Sequence, residues 1–353
     1  MRIIPSCQLF AALCLASVAS CSIAYENNEP ERRSSSAVIG GEASGPEHDA
    51  VVYLFVEPEG ESSWEECTGT LVSPHVVLTA RHCVSSMHRG EFVCDADGEL
   101  VQGGSGAGVF GAAYPPASIA VFTGGVPSGE ADARAQWVFA TTAPTACRDD
   151  FAAIVLDRAI VLDSYPPIAV AREVRLGEAV TVVGYGLGEP SPGPERRERT
   201  GIRVVDVGTE WGMGTTPPRS FAVGGGTVCF GDSGGPALST DTGALLGVYS
   251  RITGDCFAQG TWNIYMDVGQ YASVTQRAFA LAGEAPTLEQ TAMPNDGAAD
   301  DPSKATVGAC NAKGAKGQGP GARGAALMAL LVALGVAARR QDSGTRFRGR
   351  SMP

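Results

Sequence analysis

The chain has 353 residues, 44% of them apolar and 18% charged, which is a globular composition that excludes wholesale disorder; its 46 glycines follow no three-residue repeat, which excludes collagen. Lys and Arg total 26 against 38 Asp and Glu, a formal charge of -12, so the chain repels phosphate backbones and nucleic acid is not an expected partner. Ten cysteines without paired C-x-x-C clusters point to an oxidising compartment and not to a zinc site.

In chain order, residues 1–24 begin with Arg2 and run apolar through Leu9, Phe10, Leu13, Leu15 and Val18 into small residues. This is the layout of an export signal peptide, and the apolar run is too short to span a bilayer. Within it, Val18-Ala19-Ser20-Cys21 resembles a bacterial lipobox, in which Cys21 would be lipidated and become the first mature residue; Ser22-Ile23-Ala24 offers ordinary cleavage after Ala24 as the alternative. Residues 25–37 are polar without an apolar period and read as a propeptide or spacer.

Residues 38–282 consist of short β-type runs separated by Gly, Pro and polar turns. Val51 to Val56, Val76 to Leu78, Ala179 to Val183, Arg203 to Val207 and Leu245 to Tyr249 are predicted strands, rich in β-branched residues and bounded by turn formers. Asp95, Asp97 and Glu99 mimic part of a calcium loop, but the ligand series is incomplete and Asp97-Gly98 is a good turn. Gly106, Gly108 and Gly111 satisfy GxGxxG, yet Pro115-Pro116 follow instead of a helix, so a flexible loop is expected and no dinucleotide site. Four histidines without HExxH imply no catalytic zinc, and no cofactor is expected. Glu195 to Arg199 (ERRER) reads as a solvated loop. The one helical pattern comes last, with Val268, Tyr271, Ala272, Thr275, Phe279 and Ala282 on one face. An all-β domain closed by a C-terminal helix is the expected architecture.

Residues 283–323, rich in Gly, Ala, Pro and acid, read as a disordered linker. Residues 324–340 form a hydrophobic segment that ends in Arg339-Arg340, followed by a basic tail, 341–353. The apolar stretch is short of the ~20 residues a spanning helix needs. Cys310, an apolar segment and an arginine cluster, in that order, resemble the C-terminal sorting signals of some Gram-negative surface proteins, notably the myxobacterial type. The expected location is therefore outside the cytoplasm, secreted or held at the outer membrane or cell surface through lipid, the C-terminal segment or both.

Three motifs carry chemistry: Leu78-Thr79-Ala80-Arg81-His82-Cys83, Asp150-Phe151-Ala152-Ala153-Ile154-Val155 and Gly231-Asp232-Ser233-Gly234-Gly235-Pro236. Acyl transfer to serine needs a base for the hydroxyl proton and an acid to fix that base's tautomer and stabilise the imidazolium. His, Asp and Ser in this order, each in its own motif, resemble the chymotrypsin/trypsin family of serine endopeptidases across residues 38–282. The resemblance implies two antiparallel six-stranded β-barrels with the active site between them. His82 would be the general base, Asp150 its orienter and Ser233 the nucleophile, with Asp149 the neighbouring candidate for the acid. The N–H groups of Gly231 and Ser233 would form the oxyanion hole.

The resemblance also implies that Val38-Ile39-Gly40-Gly41 is a new N-terminus freed by cleavage after Ala37, its ammonium pairing with Asp232; the alternative is a plain first strand in an enzyme active without processing. It pairs Cys67 with Cys83 and Cys229 with Cys256, and parity leaves Cys94 with Cys147. Thr227 stands where an acid would select Arg or Lys substrates, while Ile252 and Asn263 stand where the family often has glycines. The pocket is therefore expected to be short and to favour Ala or Val before the cut. Ser250 falls where the family's backbone pairs with substrate as an added strand. The expected partners are protein or peptide substrates. The rival expectation is a binding module on a protease scaffold that has lost catalysis.

Overall fold

The computed structural model describes residues 38–57, 64–88, 90–186, 194–208, 216–256, 258 and 260–290. The export segment 1–24 with Cys21, the spacer 25–37, residues 291–323 with Cys310, the apolar segment 324–340 and the tail 341–353 lie outside the described residues.

Among the described residues seventeen strands precede a single α-helix. They are β1 (Glu42–Ala43), β2 (Val51–Val56), β3 (Glu65–Leu71), β4 (Val76–Thr79), β5 (Ser85–Met87), β6 (Phe92–Cys94), β7 (Leu100–Gly103), β8 (Phe110–Ala113) and β9 (Ile119–Phe122). There follow β10 (Ala133–Ala140), β11 (Ala152–Leu156), β12 (Ala179–Gly184), β13 (Arg197–Val207), β14 (Ser220–Gly224), β15 (Pro236–Ser239), β16 (Leu245–Ile252), β17 (Trp262–Asp267) and α1 (Ala272–Ala282).

The first six-stranded barrel closes in the order β10-β11-β4-β3-β2-β9. Its strands β2, β4 and β11 (VVYLFV, VVLT, AAIVL) are buried along almost their whole length, which explains why they read as continuous apolar runs and not as alternating ones. One face fills the barrel, and the outside of β4, β10 and β11 is covered by α1, which buries Val274, Thr275, Ala278 and Phe279. Each fully buried Leu or Ile there contributes ~1.5–3 kcal/mol relative to exposure. Helix α1 stops at Gly283, whose φ of +69° is the left-handed value that glycine accepts at little cost.

The second barrel runs β13-β12-β15-β16-β17-β14, with β13 pairing β14 to close it and β1 hanging on the outer edge of β13. Its core gathers Val180, Val182, Phe221, Val223, Leu246, Tyr249 and Tyr265. The expectation of two antiparallel six-stranded barrels and a closing helix matches this architecture. Three disulfides join Cys67 to Cys83, Cys94 to Cys147 and Cys229 to Cys256.

Three segments differ from the sequence expectation. Gly106–Gly111 is a tight turn running into β8, not an open loop. The ERRER stretch is not a solvated loop: Arg196 is 2% exposed and Arg197 begins β13, because each guanidinium finds main-chain carbonyls that replace its water. Residues 284–289, placed in the linker by composition, fold back onto the domain. Leu288 bridges Ile168 in parallel, the Ile168 N–H donates to the Thr287 carbonyl at 2.8 Å, and the Glu289 N–H donates to the Ile168 carbonyl at 3.0 Å. Glu289 then clamps Arg172 at 2.6 Å and accepts from Thr242 at 2.6 Å, while Glu178 holds the other edge of Arg172 at 2.7 Å. At the start of this strap, Glu284 sits 2.7 Å from His75 of the first barrel.

Burial works against its charge, but the hydrogen bonds from Arg172 and Thr242 hold the Glu289 carboxyl below its usual range. A lowered carboxylate contributes stability that is present above its unfolded pKa and is lost as pH falls through the folded value. Glu289→Ala should therefore cost ~1–3 kcal/mol at neutral pH, a drop of several degrees in Tm, with the difference from the parent shrinking below about pH 4. Thermal melts of both chains at pH 7 and pH 3.5 measure this.

Candidate active site

Strand β4 ends at Thr79, and a single 3-10 turn, Arg81–Cys83, presents His82 at the barrel rim. The Cys67–Cys83 disulfide ties this turn to β3. Asp150 stands directly before β11, the neighbour of β4, so strand pairing alone brings the two motifs together across 68 residues of sequence.

Asp150 is fully buried. Its Oδ1 accepts the His82 backbone N–H at 2.9 Å, and its Oδ2 lies 2.7 Å from His82 Nδ1 and accepts the Ser250 hydroxyl at 2.7 Å. Burial pushes the carboxyl upward, but the His82 ring and the hydrogen bonds from His82 and Ser250 outweigh it and hold the group below the usual carboxylate range. An ionised Asp150 has no proton to offer, so the shared hydrogen belongs to Nδ1 and Nε2 is left as the basic nitrogen. Asp149 faces away: it pairs with Arg219 and accepts from the Tyr271 hydroxyl at 3.2 Å.

Ser233 arrives from the second barrel, on the loop before β15. Its carbonyl accepts the Thr68 N–H at 2.7 Å and lies 3.6 Å from the sulfur of Cys83, the residue after His82. The Thr68 hydroxyl donates to the Gly231 carbonyl at 2.9 Å. Gly234 has φ +81°, and a Cβ there would collide with the Thr68 carbonyl and the Thr79 hydroxyl. No other residue allows the serine loop to sit this close to the first barrel. Among the described residues the N–H groups of Gly231 and Ser233 meet no acceptor.

Asp232 is also fully buried, but its partners are neutral: it accepts the N–H of Cys229 at 2.9 Å, of Gly186 at 2.8 Å and of Val38 at 3.2 Å. Burial pushes its carboxyl up to about 6 in spite of those three N–H groups.

Beside the Cys229–Cys256 disulfide, Thr227 and Asn263 are both buried. Asn263 accepts the Thr227 hydroxyl at 2.8 Å and donates to the Val228 carbonyl at 3.2 Å. Ile252 is the cross-strand partner of Asn263 in the β16–β17 ladder, and Ser250, 5% exposed, lies two residues before it.

Two groups of described residues bring three metal-type ligands together. One is His82 with Cys67 and Cys83, whose sulfurs are bonded to each other and are not thiolates. The other is the surface group Glu47, His48 and Glu198, in which His48 lies 3.3 Å from Glu198.

Two contributions carry no signal in the sequence, the hydroxyl role of Ser250, expected only to pair its backbone with substrate, and the whole role of Arg251. The Ser250 hydroxyl reaches Asp150 over 100 residues of sequence. Arg251 donates to the carbonyls of Ala146 at 3.0 Å and Cys147 at 3.4 Å, stitching β16 to the loop before Asp150; burial lowers its pKa to about 10, which still leaves it charged near neutrality. The partners in both cases are set by barrel closure, which leaves no local pattern.

A family model described as a trypsin-like peptidase domain matches residues 67–248. The chain is 29% identical over 243 residues to chymotrypsin-like elastase family member 3B of Homo sapiens, covering 63% of this chain and 80% of the relative. It is 30% identical over 235 residues to the same-named protein of Macaca mulatta, covering 61% and 81%. Among solved structures, the scabies mite inactivated protease paralogue S-I1 superposes with a TM-score of 0.51 at 21% identity, over 69% of this chain and 99% of the other. HL collagenase does so with a TM-score of 0.50 at 20% identity over the same shares. The two structural likenesses speak to the fold; the matched domain model and the 30% identity establish that this chain belongs to the trypsin-like serine peptidase family.

Proposed function

We propose that residues 38–282 form an exported serine endopeptidase that hydrolyses peptide bonds through an acyl-enzyme. The observation that carries this reading is the buried Asp150 carboxylate, bonded to both His82 Nδ1 and the Ser250 hydroxyl, at the seam where the Ser233 main chain meets Thr68 and Cys83 of the first barrel. In this mechanism His82 Nε2 takes the Ser233 hydroxyl proton as the oxygen attacks the scissile carbonyl carbon. The N–H groups of Gly231 and Ser233 stabilise the resulting oxyanion, His82 returns the proton to the leaving amine as the C–N bond breaks, and water repeats the sequence to release the acid. Asp150 stays ionised throughout and stabilises the imidazolium.

For primary specificity we favour small residues such as Ala or Val before the cut. Thr227 supplies no charge for Arg or Lys, Asn263 fills the floor by bonding Thr227, and Ile252 adds bulk beside it. Ser250 would pair its backbone with the substrate chain. The relatives named as elastases fit this preference.

Activation follows from Val38. Its side chain is buried and its N–H reaches Asp232, yet its φ is +45°, a left-handed value that costs a β-branched residue ~1–3 kcal/mol. Once the chain is cut after Ala37, residue 38 has no preceding carbonyl and the strain disappears, while the new ammonium compensates the buried carboxylate. Export by residues 1–24 and attachment through residues 324–340 complete the proposal; a lipid on Cys21 would hold only the uncut chain, because the cut after Ala37 separates Cys21 from the peptidase domain.

The rival reading, a silent scaffold, has one observation in its favour: the fold is shared by a protein named an inactivated protease paralogue. Ser233→Ala should abolish hydrolysis and fluorophosphonate labelling while leaving the melting curve in place, and peptides differing only before the cut should rank Ala and Val above Arg and Phe. Residual turnover in that variant, or no labelling of the processed parent, counts against the catalytic reading; preference for Arg or Phe removes the short-pocket assignment. A second outcome concerns pH. A buried acid with a raised pKa contributes stability below its unfolded pKa and loses it as pH rises through the folded value, so the uncut chain should weaken between about pH 4 and pH 6 on account of Asp232. Asp232→Asn should remove that part of the pH dependence in the uncut chain and abolish activity in the cut one, as read by denaturant titrations at pH 4.5 and 7.5.

A further inference from the structure

The segment that starts at Val38 is gripped by arginines. Arg199 Nη1 donates to the Ile39 carbonyl at 3.1 Å, and Arg197 Nη2 donates to the Gly41 carbonyl at 2.6 Å. Arg196 Nη2 donates to the Gly45 carbonyl at 2.7 Å and to Asp49 Oδ1 at 2.8 Å. Arg197 and Arg199 are two apart on β13 and so share a face of the strand, and they meet carbonyls that are also two apart. The main chain adds the pairs Glu42 with Glu198 and Ala43 with Arg197. A side chain at Gly41 would run into the Glu198 and Val38 carbonyls, so the two backbones approach as closely as this only because residue 41 is glycine.

We infer that Arg197 and Arg199 form the receptor that holds the freed N-terminus in the fold, acting as positioning residues for the oxyanion site through Val38 and Asp232. This rests on the reading of Val38 as an activation terminus. An ammonium entering a buried carboxylate gains charge pairing but gives up hydration, and the segment behind it gives up chain freedom. The docked form is therefore favoured only if something else holds the segment. Charge-assisted bonds to its main-chain carbonyls do so regardless of its side chains, and they cost the arginines little because their charge is permanent.

The titratable groups around Val38 and this grip are Asp232, with Tyr249 and Tyr265 in the same core, the cluster Glu198, Glu47 and His48, Glu195, which pairs with Arg197 at 3.4 Å, and Asp49, which pairs with Arg196 at 2.8 Å. Burial pushes both tyrosines well up and His48 down, away from the range in which an α-amine titrates. The alkaline limb of activity should thus report the Val38 amine. Docking favours the ammonium, so its pKa is raised when docked, and activity persists below the free-amine pKa and falls as pH rises through the docked value.

The test uses the full chain cut after Ala37, with the new terminus verified by sequencing. Arg197→Ala with Arg199→Ala should weaken docking about tenfold, move the alkaline midpoint of kcat/KM down by about one pH unit and leave the acid limb in place. Carbamylation of the Val38 amine by cyanate should accelerate by about the same factor. Arg199→Ala alone, the smaller perturbation, should give about a threefold effect, and the double Lys variant should restore most of it. An alkaline limb that stays put in both Ala variants, with unchanged carbamylation, overturns the grip while leaving the Val38 reading intact. A parent chain with no alkaline limb and equal activity cut or uncut overturns both.

Discussion

A carboxylate without water must be satisfied by the protein, and Asp150 is satisfied from both barrels at once. The His82 backbone and ring come from the first barrel, and the Ser250 hydroxyl comes from the second. Removing the His82 side takes away the group whose charge can pair with Asp150, and removing the Ser250 hydroxyl leaves the buried carboxylate short of a hydrogen bond; both are costly. The cleft therefore cannot open at this point without loss of stability, and the geometry that orients His82 is the same geometry that holds the barrels in register. Arg251 and the Arg219–Asp149 pair reinforce the same seam from the second barrel.

Asp232 shows the opposite balance at a similar depth. Both acids are fully buried, yet one lies below the usual carboxylate range and the other is pushed up to about 6. The difference lies in the partners: an imidazole that can become a cation and a hydroxyl for Asp150, three neutral N–H groups for Asp232. Under the proposed cleavage after Ala37, a freed Val38 ammonium would supply the cation that this acid lacks. The arginines of β13 hold the carbonyls of Ile39 and Gly41, just after Val38, from outside the core.

Much of this was legible from local pattern. β2, β4, β12 and β16 were readable because continuous β-branched runs bounded by turn formers have few other stable solutions. The closing helix was readable from its 3.6-residue period, although its first turn, Val268–Tyr271, is a 3-10 turn. The short strands β5 to β8 were not, since three or four residues carry too little periodicity. The strap at 284–289 was hidden for a related reason: its Gly, Ala, Pro and acid composition looks like a linker, and its order comes from Ile168 and Arg172, more than 100 residues earlier.

Taken by itself, the sequence determined the class of fold, the three motifs and the residue types available to them, because those properties depend on composition, period and short spacing. Only the tertiary structure decided which groups share the Asp150 carboxylate, that Asp149 turns to Arg219, that Asn263 bonds Thr227, and that the arginines of the ERRER stretch hold the carbonyls of Ile39, Gly41 and Gly45 instead of facing solvent. Those contacts join residues brought together by barrel closure, and an arginine that will find a carbonyl is written exactly like one that will stay in water. The ten cysteines divide the same way: six are placed by the fold in three bridges, and Cys7, Cys14, Cys21 and Cys310 lie outside the described residues.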